Sequence, residues 1–82
     1  MGIPDSDWSE RDGGLERTLE FASFPDAIAF VNRLAELAEQ ENHHPDISIS
    51  WNTVTLRWVN HSAGGITEKD IEMAGKSDAL AA

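Results

Sequence analysis

SFPDAIAFVNRLAELAEQENHHP, from Ser23 to Pro45, is the stretch that sets the fold class. Ser23 followed three residues later by Asp26 reads as a helix cap. Pro25 falls in the first turn, where its missing N–H costs nothing. Ala27, Phe30, Val31, Leu34, Leu37 and Ala38 then repeat at i, i+3, i+4 and i+7, with Asn32, Arg33, Glu36 and Gln40 off the stripe. The spacing predicts an amphipathic helix from about Phe24 to about Glu41. Pro45 biases His44 out of the helical region and removes a donor from the next turn, so the helix must end near Asn42.

Downstream, Ile47, Ile49 and Trp51 alternate with Ser48 and Ser50. Val54, Leu56 and Trp58 alternate with Thr53, Thr55 and Arg57. Two half-buried strands around a turn at Asn52 are expected. Upstream, Trp8-Ser9-Glu10, then Asp12-Gly13-Gly14, then Leu15 to Phe21 has the pattern of a hairpin. Leu15, Leu19 and Phe21 point to a core, with Arg17 the polar exception on that face. Asn60 to Ile66 is a loop carrying Gly64-Gly65, and Thr67-Glu68-Lys69-Asp70 resembles a capping box opening a last helix through about Ala79. Gly75 inside that helix costs about 1 kcal/mol against Ala, so its end is expected to fray. Residues 1–7 are expected to be a flexible segment and residues 8–82 a single domain. The order β-β-α-β-β-α implies an α+β fold, a four-stranded antiparallel sheet with two helices on one face.

The chain has 82 residues and 9.0 kDa, enough for one small domain. A core of this size without a disulfide is marginal, which favours self-association. Fifteen Asp and Glu against 6 Lys and Arg give a net charge of −9, so a phosphate backbone would be repelled. Direct nucleic-acid binding is disfavoured. The absence of cysteine excludes thiolate metal sites, iron–sulfur ligation and thiol nucleophiles, and fits a reducing compartment. No basic-then-apolar leader pattern opens the chain and no apolar run approaches membrane-spanning length, so a cytoplasmic protein with no membrane partner is expected.

The histidines are His43, His44 and His61, each at an element boundary, where sites usually sit. The antiparallel return of the second hairpin can bring His61 toward His43 and His44. Imidazoles titrate near neutrality, so such a group suits general acid/base work; surface or cap histidines are the alternative. Adjacent histidines splay, and no HxH or HxxxH pair occurs, which argues against a metal site. Ser62 lacks a nucleophile-elbow context, and the glycine pairs have no phosphate-loop spacing. Asp70 is open to two compatible readings, a helix cap or an acid that orients a histidine. Trp51 and Trp58 occupy positions that usually bury, or one could wall a flat heteroaromatic ligand.

Glu39-Gln40-Glu41-Asn42-His43-His44-Pro45, with Trp51, His61 and Asp70, resembles the pterin-4a-carbinolamine dehydratase family. The intervals that carry the likeness are an acid four before the first His, His-His-Pro, an aromatic six beyond the Pro, a His ten further on and an Asp nine after that. The resemblance implies dehydration of 4a-hydroxytetrahydropterin to quinonoid dihydropterin, with no metal or organic cofactor. It further implies that His43, His44 and His61 form the acid/base set, that Glu39 and Asp70 support the site, and that Pro45 fixes the turn presenting the histidine pair. Family members typically carry an extra N-terminal helix, where only seven residues here precede Trp8. Asn60 stands where Thr usually precedes the third His, and Ile47 where some members have Trp. A homodimer or homotetramer built by strand-edge and helix packing is implied. So is a rival role: a non-catalytic interaction module like the transcription-factor dimerisation cofactors and Rubisco assembly chaperones that share this fold.

Overall fold

The computed structural model describes residues 8–60 and 64–81. Two hairpins alternate with two helices: β1 (Ser9–Arg11), β2 (Gly14–Glu20), α1 (Phe24–Glu41), β3 (Asp46–Ser50), β4 (Thr53–Trp58) and α2 (Glu68–Ala81). The four strands form one antiparallel sheet in the order β1-β2-β4-β3. This is the α+β arrangement that the periodicities imply.

Local chemistry explains the boundaries. Asp12 and Gly13 both take positive φ, 50° and 78°, the backbone that suits a two-residue hairpin turn, and Arg11 pairs with Gly14 across it. A Cβ on Gly14 would lie 3.1 Å from both the Trp58 carbonyl oxygen and the Val59 Cβ, so the turn packs on the end of β4 only without a side chain. Ser23 caps α1 by accepting from the Asp26 N–H at 3.2 Å. Asn42 ends it in the left-handed region, φ 52°, with its N–H on the Ala38 and Glu39 carbonyls.

Leu15 and Leu19 of β2 lie opposite Trp58 and Val54 of β4, and with Leu56 they form the apolar face of the sheet. Ala27, Phe30, Leu34 and Ala38 of α1, with Met73 and Ala74 of α2, close over that face. The other face is a polar ladder in which Arg57 sits between Glu16 and Asp46, and Thr55 between Thr18 and Ser48. Arg17, the polar exception on the core face, pairs with Asp78 of α2.

Two boundaries and the burial of β3 and of Trp51 differ from expectation, each for a tertiary reason. The first strand begins at Ser9, because Trp8 is buried and donates its indole N–H to both Asp78 oxygens at 3.0 Å. The last helix runs through Ala81 instead of fraying near Ala79. Its far end is tied by Asp78, by the Ser77 hydroxyl on Trp58 and by Arg33 donating to the Leu80 carbonyl. The third correction concerns β3, every residue of which is exposed, since this strand is the sheet edge that α1 leaves uncovered. Trp51 is not a core residue: it stands in the hairpin turn at φ 54° and is 71% exposed. Its neighbour Asn52 is buried instead. Asn52 donates its side-chain amide to the Phe21 carbonyl and accepts the Phe21 N–H at its own carbonyl, each at 2.8 Å.

Candidate active site

The site grows from the point where α1 stops. Past Asn42 the backbone reverses, and the His43 N–H donates back to the Ala38 carbonyl at 3.1 Å. This turns the His43 ring inward between α2 and the end of β4. The ring stacks on Trp58, centroids 5.5 Å apart at 23°, and its Nε2 lies 2.6 Å from Asp70 Oδ1. Asp70 is fully buried and occupies the third position of α2. Its second oxygen accepts the Thr67 N–H at 2.9 Å and the Thr67 hydroxyl at 3.1 Å. One carboxylate therefore caps a helix and holds an imidazole. Both readings of Asp70 hold together.

The chemical consequence is a defined ring orientation. A carboxylate accepts only, so Nε2 carries the proton in this contact, and Nδ1 of the neutral ring carries the lone pair that can take one. The His43 ring is thus held in one orientation against a buried carboxylate.

His44 behaves differently. Its Nε2 is 2.5 Å from Glu39 Oε2, but both side chains are more than half exposed, so water competes with the pair. Pro45 is half-buried and follows as the last residue before β3. His61 lies outside the described residues.

A family model described as pterin 4 alpha carbinolamine dehydratase matches residues 2–80. The chain belongs to that family. A curated protein of Mycolicibacterium vanbaalenii whose name provisionally assigns it as a pterin-4-alpha-carbinolamine dehydratase is 49% identical over 79 residues, 95% of this chain and 85% of its own length. One of Mycobacterium avium with the same provisional name is 53% identical over 73 residues, 88% of this chain and 78% of its own. Among solved structures, a transcriptional coactivator/pterin dehydratase from Brucella melitensis superimposes with TM-score 0.88 at 34% identity, covering 94% of this chain and 84% of that one. A pterin dehydratase-like protein identified as a RuBisCO assembly factor in the alpha-carboxysome matches with TM-score 0.79 at 27% identity, covering 92% and 89%.

In this pterin dehydratase family chain the sequence motif resolves into two unequal pairs, His43 with Asp70 and His44 with Glu39. Trp51, the motif's aromatic, is at the opposite end of the β3–β4 hairpin from Asp46, and so away from the histidines that precede β3. Trp58 is the aromatic that reaches the site, through the His43 ring. Its alternation with Arg57 announces burial, but nothing in the sequence names the ring it would touch. Thr67 enters as the group that fixes Asp70, which its spacing to Asp70 does signal. Glu41, Lys69 and Lys76 were not legible as a group. The Lys69, Glu72, Lys76 spacing marks one charged face of α2, and its partner on α1 is 28 and 35 residues away. A hollow of about 450 Å3 beside β1 and β2 shares no lining residue with these pairs, and its Arg11 and Arg17 are engaged by Glu16 and Asp78.

Proposed function

We propose that this chain is a pterin-4a-carbinolamine dehydratase, a hydro-lyase converting 4a-hydroxytetrahydropterin to quinonoid dihydropterin and water. The observation that carries the reading is the His43 ring held 2.6 Å from the fully buried Asp70 carboxylate, within a chain of this family. The reaction breaks the C4a–O bond and the N5–H bond and forms a C4a=N5 double bond. It needs a donor for the departing hydroxyl and an acceptor for the N5 proton. His43 supplies a site for either transfer, and His44 and His61 complete the acid/base set. Glu39 supports His44, Asp70 supports His43, and Pro45 shapes the turn that separates the histidines from β3. The chemistry is proton transfer and loss of water, so no cofactor or metal is invoked. Acting on a soluble pterin, the chain is proposed to work in the cytoplasm as a homodimer or homotetramer, without direct nucleic-acid or membrane contacts.

The second reading, a non-catalytic interaction module, is favoured by the likeness to a protein identified as a RuBisCO assembly factor. One experiment separates the two. Quinonoid dihydropterin formation is followed from freshly generated 4a-hydroxytetrahydropterin with the parent, His43→Ala and His61→Ala. Acceleration by the parent and a loss of about 100-fold or more in each variant supports the dehydratase. A folded parent that does not accelerate the uncatalysed rate rejects it and leaves the interaction module. Sedimentation on the same samples is expected to give two or four times the 9.0 kDa chain mass.

A further inference from the structure

Glu41 is the last residue of α1, and its carboxylate reaches across to α2. It accepts from the Lys69 ammonium group, and from that of Lys76 at 2.9 Å. Both lysines also face Glu72, Lys69 at 3.5 Å and Lys76 at 2.9 Å, so four charges of alternating sign bridge the two helices. Two residues beyond Glu41, after the left-handed Asn42, His43 meets Asp70, the chain neighbour of Lys69. The end of α1 is therefore fastened to the first turns of α2 at two points, one on each side of the reversal.

These two fastenings differ in kind. The Glu41 carboxyl and both ammonium groups keep a quarter to two-fifths of their surface in water, and exposed ion pairs add little to stability. The His43–Asp70 contact is inside and short, and Asp70 cannot follow a displaced ring because Thr67 holds its second oxygen. A drift of α1's terminus of about 1 Å would stretch that hydrogen bond while leaving the apolar core in place. We infer that Glu41 is a positioning residue: its contacts with Lys69 and Lys76 hold the end of α1 at the separation from α2 that keeps the His43 ring on Asp70. The lysines hold the Glu41 carboxyl down at about 2, so the clamp stays charged throughout the pH range in which histidines exchange protons.

The kinetic arm of this inference rests on the dehydratase reading; the spectroscopic arm does not. The full chain, Glu41→Gln and the Lys69→Met/Lys76→Met double variant are compared by NMR of the histidine rings, with the His43 Nε2 proton assigned by its absence in His43→Ala. The parent is expected to show a protected Nε2 proton. In both clamp variants its solvent exchange accelerates about 10-fold or more, with kcat falling about 10-fold and KM held within about twofold. Raising salt from 0.1 M to 1 M shortens the screening length from about 10 Å to about 3 Å, so it accelerates exchange in the parent and leaves Glu41→Gln unmoved. A Nε2 proton equally protected in folded clamp variants overturns the inference, as does a parent signal indifferent to salt should the variants not fold. A parent without dehydratase activity rejects the functional reading alone, because the exchange arm still decides the role of Glu41.

Discussion

Asp70 shows how much one side chain can decide. Its two oxygens serve two masters: one satisfies orphan donors at the start of α2, the other orients His43. Asp70→Asn keeps the shape and one acceptor but cannot offer both bonds with charge behind them. The variant is expected to lose about 1–3 kcal/mol in urea unfolding and to lose kcat beyond what that instability explains. Thr67 is the control, since Thr67→Ala removes the hydroxyl's two contacts with Asp70 at a cost of about 1 kcal/mol but keeps the backbone N–H of residue 67 on the same carboxylate oxygen, so the His43 contact is expected to stay. The cap was legible because Thr67 and Asp70 are three residues apart and helical geometry fixes that pairing. The histidine contact was not, because His43 and Asp70 are 27 residues apart and only the packing of α1 on α2 selects His43 over His44.

At the scale of elements, α2 carries the junction between core and site. Its Met73 and Ala74 are in the core, while Ser77 accepts the Trp58 indole N–H at 2.9 Å and donates to the Met73 carbonyl at 2.8 Å. Ser77→Ala strands a buried indole N–H beneath the His43 ring. The expected cost is about 1–3 kcal/mol, read as a Tm drop of about 4–8 °C per kcal/mol for a domain of this size. Gly75 lowers local propensity and so shortens the helix that spacing predicts, yet Asp78 and Leu80 are engaged by Trp8 just before β1, by Arg17 of β2 and by Arg33 of α1. Strand β3 departs from its expected burial for the converse reason. Alternation of Ile47 and Ile49 with serines states which side chains share a face, but not whether a helix covers that face at the edge of the sheet.

For the whole molecule, charge sets the pH response. Lys69 and Lys76 depress the Glu41 carboxyl from 4.5 to about 2, and Lys76 and Lys69 lower that of Glu72. Each carboxylate thus stabilises the fold fully above the ordinary carboxylate range and loses that effect as pH falls through its depressed value. The lysines are raised above 10.5, so their share is complete below that pH and lost only as pH rises past it. Urea midpoints taken from pH 7 down to pH 2 are expected to show the parent's advantage over Glu41→Gln constant to about pH 4.5 and vanishing below. A parallel decline of both proteins would reject this assignment of the acid limb. At the β3 edge Ile47 and Ile49 keep a little over a third of their surface exposed and Trp51 most of its own.

The amino-acid sequence by itself determined the elements and their punctuation: α1 from its apolar stripe, its start from Ser23, its stop from Pro45, the first hairpin from Asp12-Gly13, and the cap of α2 from Thr67 and Asp70. All of these are contests among neighbours within about four residues, which helix and turn geometry resolve on the spot. Only the tertiary structure decided that β3 lies at the edge, that Trp51 faces water while Asn52 does not, and that His43 takes the buried carboxylate. It alone joined Glu41 to Lys69 and Lys76. Those outcomes depend on which surfaces remain to be covered once two helices have closed over one face of the sheet, a property of the assembled chain that no local spacing encodes.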